Sequence, residues 1–167
     1  LGLFEVDAED STVDYQFHGE DLSPAFRAVD GYNPLSIRIP IEREEGATHV
    51  IASPNGSLLY GKGFFYTLDQ SSKSLINDEI ALFGSVDIAA NRGQGGARGG
   101  VWMKLRNVFA DAAYYRKNET RVDRGQTRPL ALPTSQLKAI WPILDGQQKL
   151  VLTAHRVSDI RSAIAFR

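Results

Sequence analysis

The chain contains no cysteine. That excludes a disulfide framework, a thiolate nucleophile and a cysteine-bound zinc site. It does not fix the compartment, which stays open. Histidine is scarce as well: His18, His49 and His155 are the only three, and none stands in an H-x-H or H-E-x-x-H arrangement. Charge of one sign is missing too, the formal net charge being −1, so no basic field draws in nucleic acid or an anionic membrane surface. No apolar run approaches the roughly 20 residues that a helical membrane span needs. No basic-then-apolar leader opens the sequence, so no signal peptide is expected within it. Nucleic acid and membrane are therefore not expected partners.

What is present suits one ordinary domain: 167 residues with an apolar fraction of 43%, enough to bury a core. Charges of both signs are interspersed, as on solvated surface. Both ends read as unfinished. The sequence opens at Leu1 rather than Met, and Val157, Ile160, Ala163 and Ile164 keep helical spacing to the end with no glycine, asparagine or proline stop. The expectation is a piece of a larger α/β enzyme, truncated at both ends and lacking a complete catalytic site.

Four stretches divide this single incomplete domain. Residues 1–32 are an acidic loop and a short helix, with Ser23 as cap and Pro24 at the first helical position, ended by Gly31. Residues 33–90 alternate helix and strand, with extra strands. Asn33-Pro34 opens a segment in which Leu35, Ile37, Ile39 and Ile41 alternate as in a strand while Glu42–Gly46 reads as a helix exit; periodicity leaves the two open and helix is favoured. Residues 48–53 form a buried strand between Gly46 and Pro54. A β-rich excursion follows, with strands at 58–60, 63–68 and 80–86. Residues 91–134 hold a glycine-rich loop, a helix over 101–117 with Val101, Leu105, Val108, Phe109 and Ala112 on one face, and a polar loop over 118–132. Residues 135–167 form an αβα unit: a helix over 135–143 capped by Thr134 or Ser135, a buried strand over 150–154, and the final helix. Short αβα connections belong to parallel sheets covered by helices, and strand 48–52 behind its helix fits the same grammar.

His155 is the leading candidate for chemistry. It falls at the carboxyl end of strand 150–154, directly before a helix, and in parallel α/β folds that edge hosts the active site. The competing reading is an imidazole satisfied by local hydrogen bonds. Arg156 and Asp159 flank it; in the first turn of a helix Asp159 suits the macrodipole better than catalysis. A single histidine cannot hold a catalytic metal. His18 reads as an exposed loop residue, and His49 lies in a strand with its direction undetermined. Residues 91–100 resemble an anion cradle in outline, with Arg92 and Arg98 to neutralise phosphate, but match neither glycine fingerprint; a flexible loop is the stronger reading. Glu5 with Asp7, and Glu42 with Glu44 and Glu45, read as solvent-facing. Ser53 and Ser57 lack a nucleophile-elbow context. Trp102, Tyr114 and Tyr115 read as core packing.

Three segments together carry a family likeness: Leu1-Gly-Leu-Phe-Glu-Val6 with its acidic loop, Asn33-Pro34 through Gly46-Ala-Thr-His-Val-Ile-Ala-Ser-Pro-Asn-Gly-Ser57, and Leu150-Val-Leu-Thr-Ala-His-Arg-Val-Ser-Asp-Ile160. They resemble the imidazolonepropionase-related, metal-dependent amidohydrolases, most strongly over 33–69 and 129–167. The resemblance implies a partial (β/α)₈ TIM barrel and hydrolysis of C–N bonds in amides or cyclic amides. It also implies a divalent metal, zinc first among candidates, in the full-length parent. An H-x-H pair is expected just before Leu1. The later His-x-His pattern places its second histidine on His155, the tentative metal residue, and its first on Thr153, where a hydroxyl is a poor substitute for imidazole. The expected partner is a small-molecule amide. The chain alone is expected to bind no metal tightly and to be inactive, and its exposed strand edges favour a homo-oligomer. The alternative is a degenerate, non-catalytic binding or scaffold module built on the same barrel, which Thr153 favours.

Overall fold

Four segments rich in aliphatic and aromatic residues form strands, and these make one mixed sheet. The computed structural model describes residues 1–5, 13–17, 22–71, 73–87 and 96–166. Strands β1 (His49–Ala52), β2 (Leu59–Thr67), β3 (Leu75–Ser85) and β4 (Lys149–Thr153) lie in that spatial order. The pairs β1–β2 and β2–β3 are antiparallel, and β3–β4 is parallel.

A parallel pair needs a long crossover. Here it is supplied by α2 (Arg98–Asp123), α3 (Thr134–Lys138) and α4 (Trp141–Leu144), and α5 (Val157–Ala165) follows β4. The register pairs Leu82 with Leu150 and Gly84 with Leu152, while Phe83 meets Val151 and Ser85 meets Thr153. Because side chains alternate along a strand, these two sets face opposite ways. Leu82, Leu150 and Leu152 join Leu105, Val108 and Ala112 of α2 in one core, so Phe83, Ser85, Val151 and Thr153 lie on the face away from the helix. A second core gathers Leu3, Ala28, Ile39, Phe64 and Tyr66, where α1 (Arg38–Glu44) and a 3-10 turn over Ala28–Gly31 cover β2.

Several expectations change. The helix of residues 21–30 is reduced to the Ala28–Gly31 turn. The Asn33 side chain accepts from the backbone N–H of Leu35 at 3.0 Å, which holds a turn before α1 starts at Arg38. The strands of 58–60 and 63–68 are one strand. Gly61 (φ +124°) lets it shift register beside the Phe26 carbonyl, where no Cβ fits. Strand β1 is antiparallel to β2, not part of a parallel unit. The two strands expected to be buried, β1 and β4, are the outer strands of the sheet, so Ile51 and Val151 are 55% and 43% exposed. Helix α2 runs past Lys117 to Asp123 and bends at Asn118, whose amide donates to the Tyr114 carbonyl at 2.9 Å; that local bond competes with the helix ladder. The helix of 135–143 divides into α3 and α4. The apolar residues of α5 are mostly uncovered: Val157 is 65% exposed and Ile164 78%. No helix among the described residues is long and apolar enough to cross a membrane.

Candidate functional site at the carboxyl edge of the parallel pair

In a parallel pair, both strands deliver their following loops to the same edge, and ligands bind there. Strand β3 ends at this edge in Ser85 and β4 in Thr153, directly opposite each other. Strand β2 runs antiparallel to β3, so its first residues, including Tyr60, start at the same edge. The Val86 N–H donates to the Thr153 carbonyl at 3.0 Å. The Ser85 hydroxyl lies 3.5 Å from that carbonyl and accepts from the Asp87 N–H at 3.1 Å.

The half-buried Tyr60 side chain lies beside the Ser85 and Thr153 side chains at this edge. Burial pushes its pKa up, the neighbouring Ser85 and Thr153 hydroxyls pull it partly back, and the Asp87 charge adds to the rise. The phenol therefore stays protonated at neutral pH and is available as a donor.

His155 does reach this edge. Its Nε2 lies 3.9 Å from Asp87 Oδ2, and its side chain is 74% exposed. Arg156 caps the start of α5 and is exposed at the rim. Asp159, in contrast, is buried in the first turn of α5 and pairs with Arg98 at 2.5 Å. Arg98 is therefore held by a carboxylate rather than left for phosphate, and Arg92 with residues 91–95 lies outside the described residues. His49 sits at the far end of β2 opposite Thr67, exposed and stacked on Phe65 at 5.7 Å. His18 and Asp7 also lie outside the described residues. Glu5 accepts hydrogen bonds from Asn33 and Ser36, and Glu44 and Glu45 are exposed. Trp102 and Tyr115 are buried in the core.

Sequence reasoning missed Tyr60 and Asp87. Asp87 was recoverable, since it follows the apolar run 80–86 as His155 follows 150–154. Tyr60 was not, because its place depends on the antiparallel return of β2.

The donor set does not fit a divalent metal. One imidazole, one carboxylate and neutral hydroxyls fall short of the three protein ligands that a catalytic zinc takes. Among the described residues, no group of three or more His, Cys, Asp or Glu side chains is placed to hold an ion.

No family model matches the sequence, and no curated protein matches it. A solved structure does: the crystal structure of an amidohydrolase from Thermotoga maritima MSB8, at a TM-score of 0.80 and 23% sequence identity. The match covers 99% of this chain and 45% of that one. The chain has part of an amidohydrolase fold. It spans less than half the length of the solved amidohydrolase, and the edge described above belongs to the matched portion.

Proposed function

We propose that this chain is part of a hydrolase that cleaves C–N bonds of small amides or cyclic amides, and that it supplies one wall of the site. The observation that carries the reading is the gathering of Tyr60, Ser85, Asp87, Thr153 and His155 at one strand edge of an amidohydrolase-like fold. In this reading the sheet is part of a (β/α)₈ barrel of the imidazolonepropionase-related type. Water adds to the carbonyl carbon as the C–N bond breaks; His155 takes the proton that the water loses and passes it to the departing nitrogen, and Asp87 steadies the imidazolium in between. Tyr60 donates to the carbonyl oxygen as negative charge builds there. Arg156 stands at the rim. The divalent metal implied by the resemblance, zinc first, finds no ligand set in the described residues. It enters only as a property of the longer protein, and this chain alone is expected to be inactive.

The test is the polypeptide from the complete reading frame, assayed against a panel of N-acyl and cyclic-amide substrates. Hydrolysis of at least one member is expected, with kcat falling on the order of 10²-fold in His155→Ala. No turnover anywhere on the panel, or turnover indifferent to His155→Ala, contradicts the reading. Thr153 supports a second reading, a non-catalytic binding module, which the same panel separates: binding without turnover.

A further inference from the structure

We propose that a second copy of this chain binds head-to-tail, with α1 of one copy lying on α5 of the next. This contact does not depend on hydrolase activity.

Its first support is an apolar face left open on each helix. Along α1 and the turn before it, Leu35, Ile37 and Ile41 are 77%, 71% and 58% exposed, while Ile39 between them is fully buried. Ile37 and Ile41 stand four residues apart and share one face. Val157, Ile160 and Ile164 form the matching open face of α5. A groove of about 390 Å³ runs beside that face, lined by Leu150, Leu152, Ile160, Ala163, Ile164 and Phe166, and leaves room for an aliphatic side chain to enter. Single exposed aliphatics are ordinary, whereas clustered ones mark contact surfaces. The two helices pack into separate cores, so within one chain neither covers the other.

The second support is charge. Glu44 and Glu45 follow Ile41 by three and four residues, on the same side of α1, and both are exposed. The arginines of α1 are engaged elsewhere: Arg43 donates to the Leu68 carbonyl at 3.1 Å, and Arg38 lies 4.4 Å over the Phe4 ring. On α5 the open face is flanked by Arg156 and Arg161, both exposed. The one carboxylate of α5, Asp159, is buried against Arg98. Two α1 faces would oppose glutamates, and two α5 faces would oppose arginines. Only α1 on α5 sets aliphatic against aliphatic and acid against base. With the helices antiparallel, Glu44 and Glu45 meet Arg156 and the positive amino end of α5. Three aliphatic residues a side fall short of the roughly 800 Å² per partner of a stable complex. The contact is therefore weak, and dilute chains keep both faces open.

Sedimentation equilibrium on the purified chain, between about 10 μM and 1 mM, covers the range of such a contact. The average mass is expected to rise from one chain toward two or more. Two double variants reverse one flank each: Glu44→Arg with Glu45→Arg, and Arg156→Glu with Arg161→Glu. Each is expected to weaken association about 100-fold, because like charges then meet, with an unchanged circular dichroism spectrum, as for surface positions. Mixed in equal amounts, the two variants pair opposite charges again and should associate as wild type does. A wild-type chain that stays monomeric throughout overturns the proposal and leaves these faces to another segment or partner. Association indifferent to either reversal also overturns it, and points to pairing at the outer strands instead. So does a mixture of folded variants that fails to recover association.

Discussion

Helices α2 and α5 each follow a strand of the same parallel pair, and both carry an apolar stripe at helical spacing. Along α2, Val101, Leu105, Val108, Ala112 and Tyr115 are at most 1% exposed, because the sheet covers them on one side and α3 and α4 pack nearby. Along α5, Val157, Ile160 and Ile164 are 65%, 43% and 78% exposed. Only its inner edge meets the core, through Ala163 and through Phe166, whose ring lies 5.2 Å from that of Phe109. Periodicity therefore specifies that a helix forms and which side is apolar. Whether that side is buried depends on how many neighbours the helix has.

The sharpest way to break this contrast is truncation in the two stripes. Leu105→Ala is expected to cost about 2–5 kcal/mol of unfolding free energy, the usual range for a fully enclosed aliphatic side chain, measured by denaturant unfolding. A cost near zero would mean that α2 is not packed as described. Next comes the link between the two helices. Asp159 is 4% exposed and faces Arg98 across the first turns of α5 and α2. Asp159→Ala is expected to cost about 1–3 kcal/mol by leaving a partly buried guanidinium without its carboxylate. A double-mutant cycle with Arg98→Ala isolates the coupling, and a vanishing coupling removes the tie.

A smaller effect concerns the other core. The Tyr66 hydroxyl donates to the Leu1 carbonyl at 2.8 Å, and burial pushes its pKa well above the usual phenol value. The folded state therefore holds this proton more tightly than the unfolded chain does. Stability from this group is complete below about pH 10, the ordinary phenol pKa, and falls as pH rises beyond it toward the folded value. Tyr66→Phe should flatten that alkaline decline relative to wild type, and an identical slope would contradict the burial. The smallest expected effect is Ile164→Ala, within about 0.5 kcal/mol, as for an ordinary surface change. A loss matching that of Leu105→Ala would erase the difference between the helices.

Much of the architecture was legible. The β-branched run at 48–53 and the apolar run at 150–154 gave β1 and β4 to within a residue or two. The helical spacing after Gly100 gave α2, and the αβα grammar of the last segment pointed to a parallel strand, found in the β3–β4 pair. Strand burial was not legible, because Val151 and Ile51 read as core by type and are exposed by position at the outer strands. The join of 58–60 to 63–68 was hidden by Gly61, which reads as a break in sequence and serves in the structure as a close approach to Phe26. At the candidate site, strand-end position was enough to place His155. Tyr60 and Ser85 belong to that edge through register alone, which no local pattern in the sequence encodes.

The claim on which the functional account turns is that the start of β2 and the ends of β3 and β4 bring Tyr60, Ser85 and Thr153 to one edge. Titration of selectively labelled tyrosine ring carbons by NMR, in wild type and Thr153→Val, tests that placement. The Thr153 hydroxyl lowers the Tyr60 pKa, so its removal is expected to move the Tyr60 midpoint upward while the other tyrosines stay in place. A Tyr60 midpoint that is the same in both proteins would contradict the edge as described.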